Sequence, residues 1–241
     1  MDKELGINLW EGAMLLVDKP ATWTSFDVVN KIRYALKLPK KKLKVGHAGT
    51  LDPLATGLLI ICTGKFTKKI NDLQGLDKVY DGIIHLGATT PSYDAETAVD
   101  ETFDITSISN TDIEQCATSF IGPQEQIPPA HSAVKIDGQR AYKLAREGQT
   151  VEMKKRTIEL YDFKILNITL PEVHFEVHCS KGTYIRSLAY DFGRRLNNGG
   201  YLQTLRRTKI GDFDLKDAWQ LDELIDYIND QKELLFDYKR R

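Results

Sequence analysis

A single carboxylate, Asp52, lies inside the glycine-rich stretch GHAGTLDPLATG, which spans residues 46–57 and has lysines on both sides. The dipeptide Asp-Pro is ordinary turn chemistry, because Asp bonds its own backbone and Pro fixes φ. An unperturbed Asp is also ionised at pH 7, so it can act as a nucleophile or a base without help. Gly46 and Gly49 carry no side chain, which would let a bulky substrate approach. The stretch therefore predicts either a simple turn or a catalytic carboxylate.

Positive charge is clustered in this chain even though its formal net charge is −1. Lysines precede and follow the glycine-rich stretch, and arginines form a second group near its C-terminal third. Segregated basic residues on a nearly neutral protein can offer a basic face to phosphates, although one cluster of lysines alone is more often ordinary solvated surface. The residues that we assign to contact with a polyanion backbone are Lys41, Lys42, Lys44, Lys65, Lys68, Arg206 and Arg207.

A second stretch, CSKGTYIRSLAYDFGRRL over residues 179–196, joins the end of a predicted strand to the start of a predicted helix. Tyr184 and Arg186 lie at that helix start, where functional groups and anions are often held. The alternatives are a core aromatic for Tyr184 and a surface ion pair for Arg186. Both residues are therefore candidates for the same site as Asp52.

Metal and cofactor chemistry is not predicted. His174 and His178 would share one face of a strand, but four residues along a strand separate them by roughly 13 Å. That distance is too long for two ligands of one ion. The sequence contains no G-x-x-x-x-G-K-[ST], G-x-G-x-x-G or G-x-S-x-G motif, so a nucleotide cofactor and a nucleophile elbow are not indicated.

The composition is that of a globular protein, with 41% hydrophobic and 28% charged residues. No stretch reaches the roughly 18 apolar residues of a membrane span. The start, MDKELGINLW, lacks the apolar segment of a secretory signal. Three widely spaced cysteines form no C-x-x-C pair, which fits a reducing compartment. We therefore expect a cytoplasmic protein without a membrane segment. We also expect a monomer.

The elements around these residues alternate irregularly between strand and helix, which indicates an α+β fold. Thr24 is expected to cap the first helix, and Thr111 with Glu114 to form the capping box of a later one. We expect a mixed, largely antiparallel central sheet flanked by helices in a single domain over residues 1–241, with 214–241 as a helical tail. The predicted strands cover 13–20, 56–64, 80–86, 172–180 and 201–213, and the predicted helices cover 24–36, 111–120, 139–147, 184–196 and 222–238.

Six blocks in order make the sequence resemble the tRNA pseudouridine synthase B family. They extend from Met14 to about Phe213, and the blocks around Asp52 and around Tyr184 are the most specific. The blocks are DKPATWTS, GHAGTLDPLATGLL, KVYDGIIHLG, QIPPAHSAVKIDGQRAYKLAREG, SKGTYIRSLA and YLQTLRRTKIGDF. The resemblance implies the pseudouridine synthase fold and an enzyme that acts on tRNA.

The resemblance also implies roles for individual residues. Asp52 matches the catalytic aspartate, Arg186 matches the arginine paired with it, and Tyr80 matches the tyrosine that stacks on the target base. The residues implied to bind the substrate are His47, Tyr80, Tyr184, Arg186 and Leu205, and those of the supporting motifs are Lys19, Pro20, Gly46, Gly49 and Thr50. The basic residues assigned above would contact the RNA backbone.

Two departures from the family pattern stand out. Members often have a glycine between DKP and TS, and Thr22 occupies that slot here, which puts the backbone of that turn in question. Bacterial members commonly carry a C-terminal PUA domain that binds RNA. Residues 214–241 are fewer than the ~50 of a small domain, so we expect a catalytic domain without that module.

The implied reaction converts uridine 55 in the T-loop of tRNA to pseudouridine. The N1–C1′ bond breaks, the uracil rotates and C5 bonds to C1′, so the reaction needs no metal, ATP or other cofactor. The target base lies in a folded loop and must be flipped out. Asp52 would attack the sugar, attack the base or remove a sugar proton, and the sequence leaves these routes open.

Two other functions stay open on the residues alone. A glycoside hydrolase or base-excising enzyme could use Asp52 as its nucleophile, but such enzymes usually pair two carboxylates, and no second one is obvious in these blocks. A module that only binds or folds tRNA would need the basic face but not an acid in its middle. Assaying an Asp52→Asn variant for both binding and product separates these hypotheses.

Overall fold

The computed structural model describes residues 9, 12–36, 43–129, 135–136, 139–140 and 153–230. Helices alternate irregularly with the strands of a large, mostly antiparallel sheet, which confirms the predicted α+β class. The helices are α1 Ser25–Ala35, α2 Ile70–Gln74, α3 Asn110–Thr118, α4 Ile185–Arg195 and α5 Leu221–Asp230. The strands are β1 Met14–Lys19, β2 Val45–Ala48, β3 Thr56–Thr63, β4 Lys78–Leu86, β5 Ala88–Thr89, β6 Glu101–Thr102, β7 Gly122–Gln126, β8 Lys135–Ile136, β9 Gln139–Arg140, β10 Arg156–Thr169, β11 Glu172–Cys179, β12 Gly200–Ile210, β13 Phe213–Asp214 and β14 Trp219–Gln220. None of the helices in this part of the chain is long and apolar enough to cross a membrane.

The described residues form two compact units. Unit 1 consists of the described residues up to Lys78 together with those from Arg206 onward, and unit 2 runs from Val79 to Leu205. Strand β12 continues from unit 2 into unit 1. A single domain over residues 1–241 stays a prediction.

Unit 1 is built around β3, whose apolar run is buried along almost its whole length. Strand β1 pairs antiparallel with β3, and the C-terminal part of β12 pairs with it in parallel. Strand β2 also pairs antiparallel with β3, so that Ala48 lies opposite Ile60. Residues 49–55 therefore form the connection between two paired strands, and this connection carries Asp52.

Helix α1 closes one side of unit 1 with an apolar face. Val28, Val29 and Ile32 recur at helical spacing and are each at most 1% exposed, within the same hydrophobic cluster as Leu59 and Ile61 of β3. Thr24 caps the helix in a capping box with Asp27, as predicted. The packing of this face fixes the start of α1, where the residues that contact the Asp52 loop lie.

Unit 2 contains the strand order β12-β4-β11-β10-β7. Burial alternates along β11 as its sequence predicted, and Phe175 of β11 packs edge-on against Phe163 of β10. Phe192 of α4 and Phe120 join the same aromatic cluster. This packing anchors α4, whose first residues include Arg186.

Two predicted boundaries and the start of one predicted helix need correction. The capping box of α3 is formed by Ser109 and Asp112, two residues before the predicted pair, because the shorter Asp carboxylate also reaches back to the cap N–H. The predicted strand over 201–213 ends at Ile210, since Gly211 turns at φ +50° and β13 then pairs back onto β12. The predicted helix over 139–147 is wrong at its start, because Gln139–Arg140 form strand β9, which pairs with β8. Its other residues, and residues 231–238 of the last helix, lie outside the described residues.

Candidate active site

The predicted site residues fall into two groups, one in each unit. In unit 1 they are Lys19, Pro20, Gly46, His47, Gly49, Thr50 and Asp52, and in unit 2 they are Tyr80, Tyr184, Arg186 and Leu205. Each group is described by itself below. Lys41 and Lys42 lie outside the described residues.

The loop that carries Asp52 is held mainly by bonds to its backbone. The Ala55 N–H donates to the Asp52 carbonyl at 3.1 Å, which closes the Asp-Pro turn. The Thr22 N–H donates to the Pro53 carbonyl at 2.8 Å. Asp52 itself is partly exposed. The turn and the catalytic hypothesis are therefore compatible, since a well-held turn presents the carboxylate.

Lys19 is completely buried behind this loop. Its Nζ donates to the carbonyls of Pro20 at 2.8 Å, Trp23 at 2.6 Å and Pro53 at 3.4 Å. Burial lowers the pKa of Lys19 to about 8, an effect that the negative charge of Asp52 opposes and the positive charge of Arg207 reinforces. Lys19 thus ties the turn after β1 to the residue that follows Asp52.

Thr22 occupies the slot where family members often have glycine, and it keeps a glycine-like backbone. Its φ is +69°, in the left-handed region that a β-branched residue rarely adopts. This conformation aims the Thr22 N–H at the Pro53 carbonyl. The departure from the pattern therefore leaves the turn intact at the cost of local strain.

Arg207 is 1% exposed, and its guanidinium donates to backbone carbonyls within unit 1. Its Nε donates to the Leu58 carbonyl at 2.8 Å and its Nη2 donates to the Gly49 carbonyl at 3.1 Å. This burial contradicts the predicted contact of Arg207 with an RNA phosphate. Strand alternation explains the error, because adjacent residues of β12 point to opposite faces and only Arg206 lies on the accessible side.

The surroundings of His47, Gly46 and Gly49 are set by the packing and backbone of unit 1. Burial lowers the pKa of His47, and Arg207 lowers it further, while a hydrogen bond to the Gly49 backbone opposes both effects. A Cβ on Gly46 would lie 2.9 Å from Cδ1 of Ile70, and Gly49 has φ +92°. The left-handed backbone favours glycine at position 49, whereas the Ile70 methyl beside Gly46 ends a flexible side chain that can shift. That the two glycines make room for substrate stays a prediction.

The remaining basic candidates lie at the surface. Lys44, Lys65 and Lys68 are exposed. Arg206 is partly exposed, with Nη2 2.6 Å from Oδ2 of Asp18 and Nη1 3.2 Å from the hydroxyl of Thr56. The three lysines are therefore available to phosphates, and Arg206 has an ion-pair partner of its own.

Tyr184 is held at the start of α4 by Gln126, a residue that the sequence did not single out. The buried amide of Gln126 accepts from the Tyr184 N–H at 2.8 Å and donates to the Tyr184 carbonyl at 3.0 Å. The guanidinium of Arg156 lies 5.1 Å from the Tyr184 ring centroid. Gln126 is the first residue of the block QIPPAH, so its place in a family block was the available signal.

Arg186 lies beside a buried carboxylate, Asp94, that was also missed. Its Nε is 3.6 Å from Oδ2 of Asp94, and its Nη1 donates to the Ser92 carbonyl at 3.3 Å. Asp94 is 1% exposed and accepts from the Ser92 hydroxyl and the Glu96 N–H. Asp94 is the first of several acidic residues close together in the sequence. Such a group indicates solvent-exposed surface, so the burial of Asp94 was not predicted.

Tyr80 and Leu205 are nearly buried, at 8% and 9% exposed. They lie on β4 and β12, strands that are neighbours in the strand order of unit 2. Within the described residues, no group of three or more His, Cys, Asp or Glu side chains is arranged to hold a metal ion.

Two family models match this chain. The model described as TruB family pseudouridylate synthase (N terminal domain) matches residues 36–185, more than half of the chain. The chain belongs to the TruB family. The model described as tRNA pseudouridylate synthase B C-terminal domain matches residues 186–238. The two matches meet between Ile185 and Arg186, at the start of α4, so the family's own division separates Tyr184 from Arg186.

Individual relatives support the same family. A tRNA pseudouridine synthase B from Flavobacterium johnsoniae is 56% identical over 212 residues, covering 86% of this chain and 92% of that protein. The crystal structure of a Cbf5-Nop10-Gar1 complex contains a chain with a TM-score of 0.72 and 29% identity, and the match covers 97% of this chain and 62% of that one. The structure of an H/ACA RNP bound to a substrate RNA containing 2′-deoxyuridine matches with a TM-score of 0.68 and 26% identity, over 97% of this chain and 61% of that one. This chain therefore spans less than two thirds of both solved chains.

Proposed function

We propose that this chain isomerises uridine to pseudouridine in tRNA and that its target is uridine 55 in the T-loop. Membership of the TruB family supports the reaction class, and the name of the Flavobacterium johnsoniae relative supports tRNA as the substrate. The RNA-bound structural neighbour supports an RNA partner. The observation that carries the proposal is the placement of Asp52, a partly exposed carboxylate on a firmly held loop.

In the proposed reaction, Asp52 supplies the catalytic carboxylate. The N1–C1′ bond of the target uridine breaks, the uracil turns, and C5 forms a new bond to C1′. The proton on C5 passes to solvent, and N1 takes up a proton from solvent. Every other atom of the substrate is kept, so no oxidant, reductant or group donor enters the balance. The work of the protein is then to flip the base, hold it and orient it against one carboxylate.

The other family-matched residues complete this proposal. Tyr80 stacks on the base, Tyr184 and Leu205 line the uracil, and His47 contacts the flipped nucleotide. The family resemblance assigns Arg186 to the same reaction, and its ion pair with Asp94 would keep its guanidinium in one orientation. Lys44 and the lysines after β3 supply contacts to the phosphates of the T-arm.

The test is an Asp52→Asn variant assayed on tRNA that carries tritium at C5 of uridine. We expect no tritium release and no pseudouridine, with tRNA affinity close to that of the unaltered protein, because the amide keeps the shape and loses the carboxylate. Asp72→Asn is the matched control, since Asp72 is exposed and pairs only loosely with Lys69 at 4.0 Å. Full activity of Asp52→Asn would refute the proposal.

A further inference from the structure

One side chain, that of Ser25, hydrogen-bonds both backbone groups of Leu51, the residue before Asp52. The hydroxyl of Ser25 accepts from the Leu51 N–H at 2.8 Å and donates to the Leu51 carbonyl at 3.1 Å. Ser25 is 2% exposed and Leu51 is 3% exposed, so water does not compete for these bonds. Ser25 is separated from Leu51 by 26 positions in the chain, and only the packing of α1 brings it there.

These bonds orient the peptide that leads into Asp52. The Leu51 carbonyl belongs to the peptide unit between Leu51 and Asp52, so holding this oxygen fixes the plane from which the Asp52 Cα emerges. The direction of the Asp52 side chain follows from that plane and from the turn closed by the Ala55 N–H. Ser25 therefore holds the backbone from which the Asp52 side chain emerges.

We propose that Ser25 is a positioning residue for Asp52. The inference rests on the proposed function, because it assigns Ser25 a part in the reaction that Asp52 carries out. Its physical basis is that a reacting group displaced by about 1 Å can lose on the order of 100-fold in rate. A hydroxyl that bonds both groups of the adjacent residue opposes such a displacement.

The chain offers a closely matched control one residue earlier. The hydroxyl of Thr24 accepts from the Asp27 N–H at 3.1 Å and donates to Oδ2 of Asp27 at 2.6 Å, so it also makes two bonds. These bonds cap α1 and do not reach the Asp52 loop. Thr24→Ala therefore weakens the start of the same helix without releasing Leu51.

The experiment compares Ser25→Ala and Thr24→Ala in single-turnover formation of pseudouridine at saturating tRNA, at a temperature where circular dichroism shows both variants folded. We expect Ser25→Ala to lose at least about tenfold in the single-turnover rate, with unchanged tRNA affinity, and Thr24→Ala to keep the rate of the unaltered protein. Equal rates for the two variants, or a loss confined to affinity, would overturn the proposal. Asp52→Asn is run in the same assay: if it is active, the proposed function itself fails, whereas an inactive Asp52→Asn with a fully active Ser25→Ala rejects only the positioning role.

Discussion

At the scale of single residues, Thr22 shows how a departure from a family pattern is tolerated. Its backbone adopts φ +69°, where Cβ and the β-branched side chain crowd the neighbouring carbonyl. The conformation persists because the Thr22 N–H reaches the Pro53 carbonyl and Lys19 bonds the carbonyls on either side of the turn. The surrounding bonds thus offset a local strain beside the proposed catalytic loop.

We predict that Thr22→Gly stabilises the protein by about 1 kcal/mol, because glycine adopts this φ without the steric cost of a side chain. Pseudouridine formation should be unchanged, since the N–H that bonds Pro53 is retained. Urea denaturation measures the gain in the free energy of unfolding. Ala21→Gly is the control: Ala21 does not have a positive φ, so the same replacement should destabilise slightly through added chain entropy. A stability loss for Thr22→Gly would show that the threonine side chain contributes more than its backbone costs.

At the scale of elements, two paired strands place Tyr184. Gln126 of β7 and Arg156 of β10 are directly opposite each other in the antiparallel pair. One bonds the backbone of Tyr184 and the other lies over its ring. The end of this strand pair therefore sets both the position and the ring orientation of a residue that we assign to the uracil pocket.

We predict that Gln126→Glu lowers the free energy of unfolding by about 1–3 kcal/mol at pH 8, because a buried carboxylate cannot donate to the Tyr184 carbonyl and instead places a negative charge against it. The carbonyl would keep only the bond from the Leu188 N–H. Pseudouridine formation should fall as well. The introduced carboxyl can donate once protonated, so part of the loss in stability should be regained near pH 5. Urea denaturation at both pH values and the tritium-release assay measure these effects.

The control for this prediction is Gln124→Glu on the same strand. Gln124 is partly exposed, and its side-chain oxygen accepts from Arg195 at 3.5 Å. A carboxylate is tolerated there because the partner is a cation. If Gln124→Glu and Gln126→Glu lower the free energy of unfolding equally, the bonds between Gln126 and Tyr184 do not account for the loss, and the prediction is wrong.

At the scale of the whole molecule, we expect the positions of the basic residues to matter more for RNA binding than the net charge. The formal net charge is −1, yet Lys44, Lys65 and Lys68 are exposed on either side of the Asp52 loop in the chain. Each lysine that neutralises a phosphate should contribute about 0.7–0.9 to the slope of log affinity against log salt. Binding of tRNA should therefore depend on these few lysines and not on net charge.

We predict that replacing Lys44, Lys65 and Lys68 together by Gln reduces that salt slope by about 2–3, with little change in the single-turnover rate at saturating tRNA. An isolated T-arm hairpin and full tRNA should show similar slopes in titrations at several salt concentrations, because the same lysines meet the same phosphates. The control is a variant with Lys164, Lys209 and Lys216 replaced by Gln, which changes the net charge equally but removes lysines that already have carboxylate partners. Equal slopes for the two triple variants would contradict the prediction, and a much steeper slope for full tRNA would place contacts beyond the T-arm.

The sequence by itself determined the family, the α+β class and the elements that carry a clear local pattern. The buried run of β3, the alternation of β11 and the cap of α1 each lie within a few neighbouring residues. Asp52 could also be singled out this way, because the glycines, the proline and the lysines that mark it are close in the chain.

Only the tertiary structure decided what surrounds the proposed catalytic groups. Ser25 on Leu51, Arg207 on Gly49, and Asp94 beside Arg186 are contacts between residues far apart in sequence. Nothing in a local pattern distinguishes a buried arginine such as Arg207 from its partly exposed neighbour Arg206. Both are basic residues in one strand, and only the packing of its two faces separates them. The proposed catalytic carboxylate can therefore be identified from the sequence, whereas the groups that hold its loop in place are identified only in the folded structure.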